Sequence, residues 1–294
     1  MISILIPCYD YFAYPLVSKI EKQALVLNIE YEIICIDDGS FSSKNEANQK
    51  INVLTNCKFL ESKKNLGRIR NRVLLANSAQ YDWLIYVDVD TTPISDNFLE
   101  KYINLIGKSA LIFGGCSFNE STKIENDFLR FEFGKNREEK NSDYRNKFPY
   151  KFISSSNFMV KKDIILKVLS KIVNPSYGND YIFGSILKTK KIKVLHIDNQ
   201  VSINETESNE IFIAKTHKAL ENLKRNYIEN KIKYHSITIL KSYRFIEVFF
   251  LKDLFLKITG LFKNTIEKNL ESKKPNLFLF DIYRLNYLCK IKDS

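Results

Sequence analysis

A chain of 294 residues is long enough to bury a substantial core, as one large domain or two small ones. At 45% hydrophobic and 27% charged residues it has a globular composition, and no apolar run nears the roughly 20 residues that crossing a bilayer requires. The net charge of +11 is concentrated late: residues 211–294 hold 17 Lys/Arg against 8 Asp/Glu, while residues 1–210 hold 28 against 26.

Ile2–Cys8 reads as a buried strand. It is too short for a secretion-signal core and has no basic lead-in, so the protein is expected in the cytoplasm. Val17–Leu27 carries helical spacing, Glu32–Ile36 and Lys58–Glu61 predict two more strands, Ile69–Ala79 a helix, and Trp83–Val87 a fourth strand. This alternation predicts a doubly wound α/β domain with a mostly parallel sheet and helices on both faces. Ala110–Cys116 and Phe152–Val160 predict further strands, followed by a helix from Lys162 to about Ile172. Asn174–Gly178 reads as a turn that sets Asn179 and Asp180 at the start of a helix. From residue 211 the pattern is helical and basic, which divides the chain into an α/β domain, 1–210, and a helical extension, 211–294.

Cys8, Cys35, Cys57, Cys116 and Cys289 are odd in number and lack CxxC pairing, which predicts reduced thiols and no structural zinc.

In parallel sheets, ligands bind beyond the carboxyl ends of the strands. Asp37, Asp38, Gly39 and Ser40 follow the second strand, Asn65, Leu66 and Gly67 the third, and Asp88, Val89 and Asp90 the fourth. Each alone has a plain reading, since Asp-Gly-Ser is a common turn and Asp after a strand a common helix cap. Their joint placement at successive strand ends favours a site. A diphosphate leaving group needs charge neutralisation, which carboxylates holding Mg²⁺ or Mn²⁺ provide. If the fourth strand continues through Asp88-Val-Asp90, both carboxylates point the same way. Asp180 is the candidate general base for an attacking hydroxyl.

In chain order, Ile2–Cys8, Asp37-Asp-Gly-Ser40, Asn65-Leu-Gly67 with Ile69-Arg-Asn71, and Asp88-Val-Asp90 resemble the signature of family-2 glycosyltransferases. Phe133–Glu138, Ser156–Met159, Gly178-Asn-Asp180, His196–Asn199 and Phe212–Thr216 resemble a Bacteroidetes-type subgroup, so the resemblance covers roughly residues 2–223. It implies a GT-A fold, a nucleoside-diphosphate sugar donor, a glycan or lipid-linked sugar acceptor, Mn²⁺ or Mg²⁺, and inversion at the anomeric carbon. By the same resemblance, Asp38 contacts the uracil or ribose with Asp37 beside it, and Arg70 and Asn71 hold the nucleotide. Pro7, Asn65 and Gly67 are grouped with them. Asp88 faces the ribose or metal, Asp90 binds the metal and Asp180 is the base.

Three departures stand out. Asn179-Asp180 replaces the usual Glu-Asp, the segment leading into Ile69-Arg-Asn71 is about two residues short, and Ile203 or a neighbour replaces a histidine that some members use as a metal ligand. His196 reads as a core residue in preference to a ligand. These departures leave open a degenerate, non-catalytic binding or assembly protein. A nucleotidyltransferase is the other enzyme class, although Pro7-Cys-Tyr-Asp-Tyr11 stands where its Gly-rich phosphate loop is expected.

Leu251, Leu254, Phe255, Ile258 and Phe262 follow helical spacing, with Lys252, Asp253, Lys257 and Lys263 on the other side. This predicts either a helix packed on the catalytic domain or an interfacial helix reaching anionic lipid at the inner face of the cytoplasmic membrane. No nucleic-acid-binding module accompanies the charge, so nucleic acid is not an expected partner.

Overall fold

The computed structural model describes residues 1–119, 128–172, 176–204, 206–234 and 237–292. Its strands are β1 (Ile2–Cys8), β2 (Tyr31–Asp37), β3 (Cys57–Glu61), β4 (Trp83–Val87), β5 (Thr91–Pro93), β6 (Leu111–Phe113), β7 (Cys116–Phe118), β8 (Asn157–Lys161), β9 (Val194–His196) and β10 (Val201–Ile203). The helices up to residue 189 are α1 (Tyr14–Leu27), α2 (Lys44–Asn48), α3 (Arg68–Ser78), α4 (Phe98–Ile103), α5 (Phe128–Phe133), α6 (Ser142–Lys147), α7 (Lys162–Leu169) and α8 (Asn179–Thr189). Beyond it come α9 (Asn209–Ile228), α10 (Thr238–Val248), α11 (Lys252–Leu261), α12 (Lys263–Leu270) and α13 (Leu277–Lys290).

The chain forms two units. The first comprises Met1–Ser117, Lys140–Pro175 and Leu187–Asn204; the second comprises Phe118–Glu139, Ser176–Ile186 and Glu205–Ser294. The second unit thus combines the C-terminal stretch with two inner segments.

The first unit is built on a seven-stranded sheet of order β3-β2-β1-β4-β8-β6-β9, beside a smaller sheet of order β5-β10-β7. β1 to β4 are mutually parallel where they pair; β8 runs antiparallel to both β4 and β6, and β9 parallel to β6. The fold is therefore the mixed α/β, mostly parallel architecture that the strand–helix alternation predicts. β1 and β2 are apolar on both faces because helices cover both. Ser3 and Glu32 stand opposite each other in that register, and the Ser3 hydroxyl donates to Glu32 Oε1 at 2.6 Å, which satisfies the buried polar pair. Pro7 sits in the central strand β1 without cost, because the ladder to β4 involves only Ser3, Ile4 and Leu5.

Most expected elements shift by a residue or more at one end, and three of them call for comment. α1 begins at Tyr14 and takes Pro15 into its first turn, where the missing N–H is not needed. The expected strand Ala110–Cys116 is two short strands, interrupted at Gly114 and Gly115; Gly115 has φ +88°. The strand expected from Phe152 starts at Asn157. Asn174 and Pro175 of the expected turn lie outside the described residues.

Within the second unit, α13 packs against α9, α10, α11 and α12. One apolar cluster centres on Leu220, Leu223, Leu240, Tyr243 and Leu288, another on Leu129, Phe212, Leu270 and Phe280. Lys224, only 1% exposed, donates from Nζ to the Ile291 carbonyl at 2.5 Å, placing a cation at the C-terminal end of α13 where the helix dipole favours it. The stripe expected on α11 needs one correction: Phe255 faces inward and packs with Leu256 on the Leu220 cluster, whereas Leu251, Leu254, Ile258 and Phe262 are exposed.

Candidate functional site

Beyond β2 the backbone turns at Asp37. Its Oδ2 accepts the Ser40 amide at 2.8 Å and its Oδ1 the Ser40 hydroxyl at 2.7 Å. Gly39 has φ +67°, and a Cβ there would collide with the backbone of Lys64 and Asn65, so only glycine lets these two loops approach. Asp38 then bridges the loops: Oδ1 accepts the amide of Leu66 at 2.9 Å and Oδ2 that of Gly67 at 2.8 Å. Both oxygens of each carboxylate are thus engaged within the protein. Asn65 is exposed in the bridged loop.

Gly67, at φ +83°, caps α3 and starts it where its first turn faces the end of β4. Arg68 and Arg72, one turn apart on this helix, converge on Asp88. Arg68 donates to Asp88 Oδ2 at 2.8 Å, and Arg72 donates to Oδ1. Their environments differ, since the Arg72 side chain is 3% exposed and that of Arg68 55%. Arg70 lies out of phase with them, exposed, and forms no ion pair among the described residues. Asn71 is buried and donates from Nδ2 to the Ile36 carbonyl at 3.1 Å, while its Oδ1 accepts no hydrogen bond. The helical spacing of Arg68 and Arg72 was the signal that could have added them to Arg70, which the family resemblance named.

The strand does not continue through Asp88-Val-Asp90. The Thr91 amide donates to the Asp88 carbonyl at 3.1 Å, closing a tight turn that buries Asp88 and Val89 and leaves Asp90 exposed. The condition under which both carboxylates would share a strand face is therefore not met, because this turn ends the period-two alternation. Asp90 is raised above the usual carboxylate range, first by the surrounding protein's removal of water and then by the neighbouring Asp88 charge, with Arg68 and Arg72 opposing. Its own surface stays open, so solvent tempers that shift. β10 runs antiparallel to β5 with Ile203 opposite Thr91, and the Asn204 amide donates to the Asp90 carbonyl at 3.1 Å. The position where a histidine is expected by resemblance is thus adjacent to the acidic turn and holds an aliphatic.

Among the described residues, no three His, Cys, Asp or Glu side chains gather as a metal site. The residues fit a hard cation in part. Asp90 offers an open oxygen donor, whereas both oxygens of Asp88 already face guanidinium groups. All five cysteines are buried and none forms a disulfide.

Asp180 belongs to the second unit, exposed in the first turn of α8 where the helix dipole favours a carboxylate. Gly178, at φ +82°, precedes it; a Cβ there would stand 2.7 Å from the Ala219 Cβ on α9. Asn179 Oδ1 accepts from Asn222 Nδ2 at 3.1 Å, so the residue that replaces the family's Glu is tied to α9.

His196 is a core residue. Its Nε2 meets the Pro149 carbonyl at 2.9 Å and its Nδ1 an Arg145 guanidinium nitrogen at 3.3 Å. A carbonyl can only accept and a guanidinium only donate, so the ring is neutral with its proton on Nε2. Burial pushes its pKa down to about 4, Arg145 adds to the effect, and the Pro149 carbonyl opposes it. The neighbouring motif residues are structural too. Asn157 Nδ2 donates to the carbonyls of Gly115 and Asn199, and Asp198 accepts the Ser142 amide and hydroxyl at the start of α6.

Solved structures with this fold include a mannosyltransferase from Pyrobaculum calidifontis in complex with GDP-Man and Mn²⁺ (TM-score 0.52, 10% identity, 77% of this chain and 64% of that one). Residues 1–349 of TarS from S. aureus, in complex with UDP-GlcNAc, match at TM-score 0.51 and 14% identity over 98% of this chain and 89% of that one. Glucosyl-3-phosphoglycerate synthase from Mycobacterium tuberculosis, with Mn²⁺, UDP and phosphoglyceric acid, matches at TM-score 0.52 and 10% identity over 76% and 77%. In another TarS structure, this chain spans 39% of the length of the chain it matches. At such identities the likeness establishes the GT-A fold. No curated protein matches the chain. The model of "Glycosyl transferase family 2" matches residues 3–169, more than half of the sequence and every strand-end motif from Pro7 to Asp90, and the chain belongs to that family.

Proposed function

We propose that the protein moves a sugar from a nucleoside-diphosphate sugar to an acceptor hydroxyl with inversion at the anomeric carbon, in the assembly of a surface polysaccharide or another glycan. The observation that carries this reading is the cluster beyond the strand ends of one parallel sheet, where Asp38 braces the start of α3 and α3 sets two arginines on Asp88 beside the open Asp90. Family membership supports sugar transfer, and neighbours of the same fold that bind GDP-Man, UDP-GlcNAc or UDP support a nucleotide-sugar donor. The segments Phe133–Glu138, Ser156–Met159 and His196–Asn199 support the Bacteroidetes-type subgroup. Five cysteines without paired spacing support a cytoplasmic site of action.

In this reading Pro7, Asp37, Asp38, Asn65, Gly67, Arg70 and Asn71 frame the nucleotide, with Asp88 toward the ribose. Mn²⁺ or Mg²⁺, held by Asp90 with Asp88 beside it, would supply Lewis-acid neutralisation of the departing diphosphate. Asp180, as carboxylate, takes the proton of the acceptor hydroxyl while that oxygen bonds the anomeric carbon and the bond to the diphosphate oxygen breaks. This single displacement needs no covalent enzyme intermediate.

A second reading, a non-catalytic binding or assembly protein, rests on Ile203 opposite Thr91 and on the absence of a third metal-ligating side chain among the described residues. Calorimetric titration with UDP and GDP, with and without Mn²⁺, separates the two. Metal-dependent binding of one nucleotide, lost in Asp90→Ala, supports the transferase. No binding of any nucleotide, and no turnover across a broad donor panel, would give the second reading precedence.

A further inference from the structure

α11 is apolar on two sides. Phe255 and Leu256 pack into the second unit, while Leu251, Leu254, Ile258 and Leu261, spaced i, i+3, i+7 and i+10, form a separate exposed stripe. The stripe continues from the corner between α10 and α11, where the exposed rings of Phe245 and Phe249 meet with centroids 4.6 Å apart. At the tip, Phe250 is 93% exposed. It also has φ +55°, ending α10 through bonds from its own amide to Glu247 and from the Leu251 amide to Ile246. That left-handed position ordinarily falls to glycine. Neither packing nor backbone geometry calls for an aromatic there.

Exposed Lys241, Arg244, Lys257 and Lys263 border this surface, with Glu247 and Asp253 as the acidic residues of the same stretch. We infer that the α10–α11 corner docks on an anionic lipid bilayer, with Phe249, Phe250 and the α11 stripe entering the boundary between headgroups and acyl chains and the basic side chains meeting lipid phosphates. Charge favours this occupant over a second copy of the chain, which would set the same basic residues face to face. The inference does not depend on the sugar-transfer reading.

Flotation of the full chain with vesicles of phosphatidylcholine, alone or equimolar with phosphatidylglycerol, tests it. The chain is expected to float with the anionic vesicles, less so as salt rises. Phe250→Gly combined with Leu254→Ser and Leu261→Ser is expected to weaken that binding roughly tenfold or more. Phe250→Gly supplies the residue the backbone prefers and the other two positions are exposed, so circular dichroism and Tm should report an intact fold. Lys257→Glu with Lys263→Glu should erase the preference for anionic vesicles. The inference is overturned if the chain ignores anionic vesicles or the triple variant binds them as well as the parent. Light scattering that shows a dimer split by the triple variant overturns it too, since the surface would then be covered by a second copy.

Discussion

Arg72 reaches from α3 to the carboxylate of Asp88 at the end of β4, and their ion pair is nearly closed to solvent on the Arg72 side. A buried pair of this kind contributes little net stability, yet removing one partner strands the other charge. Asp88→Asn is therefore expected to lower unfolding stability by about 3 kcal/mol, measured by urea titration. Arg68→Ala, which removes the exposed partner of the same carboxylate, is expected to cost about 1 kcal/mol or less. Equal effects of the two substitutions would contradict this division.

Asp90 leads to the opposite expectation. Its raised pKa means that the folded state disfavours its charge, so at neutral pH without metal Asp90→Asn should leave Tm unchanged or slightly higher. In the parent protein, Mn²⁺ with a bound nucleotide should raise Tm by linkage, and chelator should reverse the gain. The variant should show no such gain. A thermal-shift titration reads both effects.

Asp180→Asn should reduce kcat by roughly 10²–10⁴ while leaving nucleotide affinity unchanged, as expected for loss of a general base. The variant keeps a good residue for the first turn of α8, so its folding should be preserved. Weakened nucleotide binding with unchanged kcat would remove Asp180 from the role of base.

His196 predicts a pH dependence. Its folded pKa of about 4 lies below the ordinary 6.5, so the unfolded chain binds the proton first as pH falls. The stabilising contribution is complete above about pH 6.5 and is lost as pH falls toward 4, by about 3 kcal/mol in all. Stability measured across that window should fall more steeply for the parent than for His196→Gln. Parallel curves would show that the ring titrates normally in the folded protein.

Gly39→Ala places a side chain at φ +67° against the Lys64 and Asn65 backbone, and should cost about 2 kcal/mol or more. Because Asp38 braces the same loop, hydrogen exchange at Leu66 and Gly67 should quicken more than elsewhere.

The strands of the parallel half were legible because β1, β2 and β4 are mostly apolar runs, and β1 and β4 have the bounds that their runs predict. α2 was not legible, being five mostly polar residues; it exists because Asn48 Oδ1 accepts the Ala13 amide and Nδ2 donates to the Tyr11 carbonyl. The break at Gly114-Gly115 depends on Asn157 and Asn199, more than 40 residues away, which a local pattern cannot reveal. In the site, the motifs identified the strand ends but not which groups face each other. The turn at Asp88–Asp90 and the convergence of Arg68 and Arg72 on Asp88 are both tertiary facts.

The two units take alternate segments of the chain, and this bears on its synthesis. β4 is complete at Val87, but its partner β8 begins at Asn157, and β10, which braces the acidic turn through Ile203 and Asn204, comes more than 100 residues after Asp90. A nascent chain therefore carries β4 with an unpaired edge while later segments are still being made. The acidic turn is among the last parts of the first unit to be fixed, and a ribosome stalled before residue 201 would hold a sheet in which Asp90 is present but the turn that carries it is not yet braced by β10.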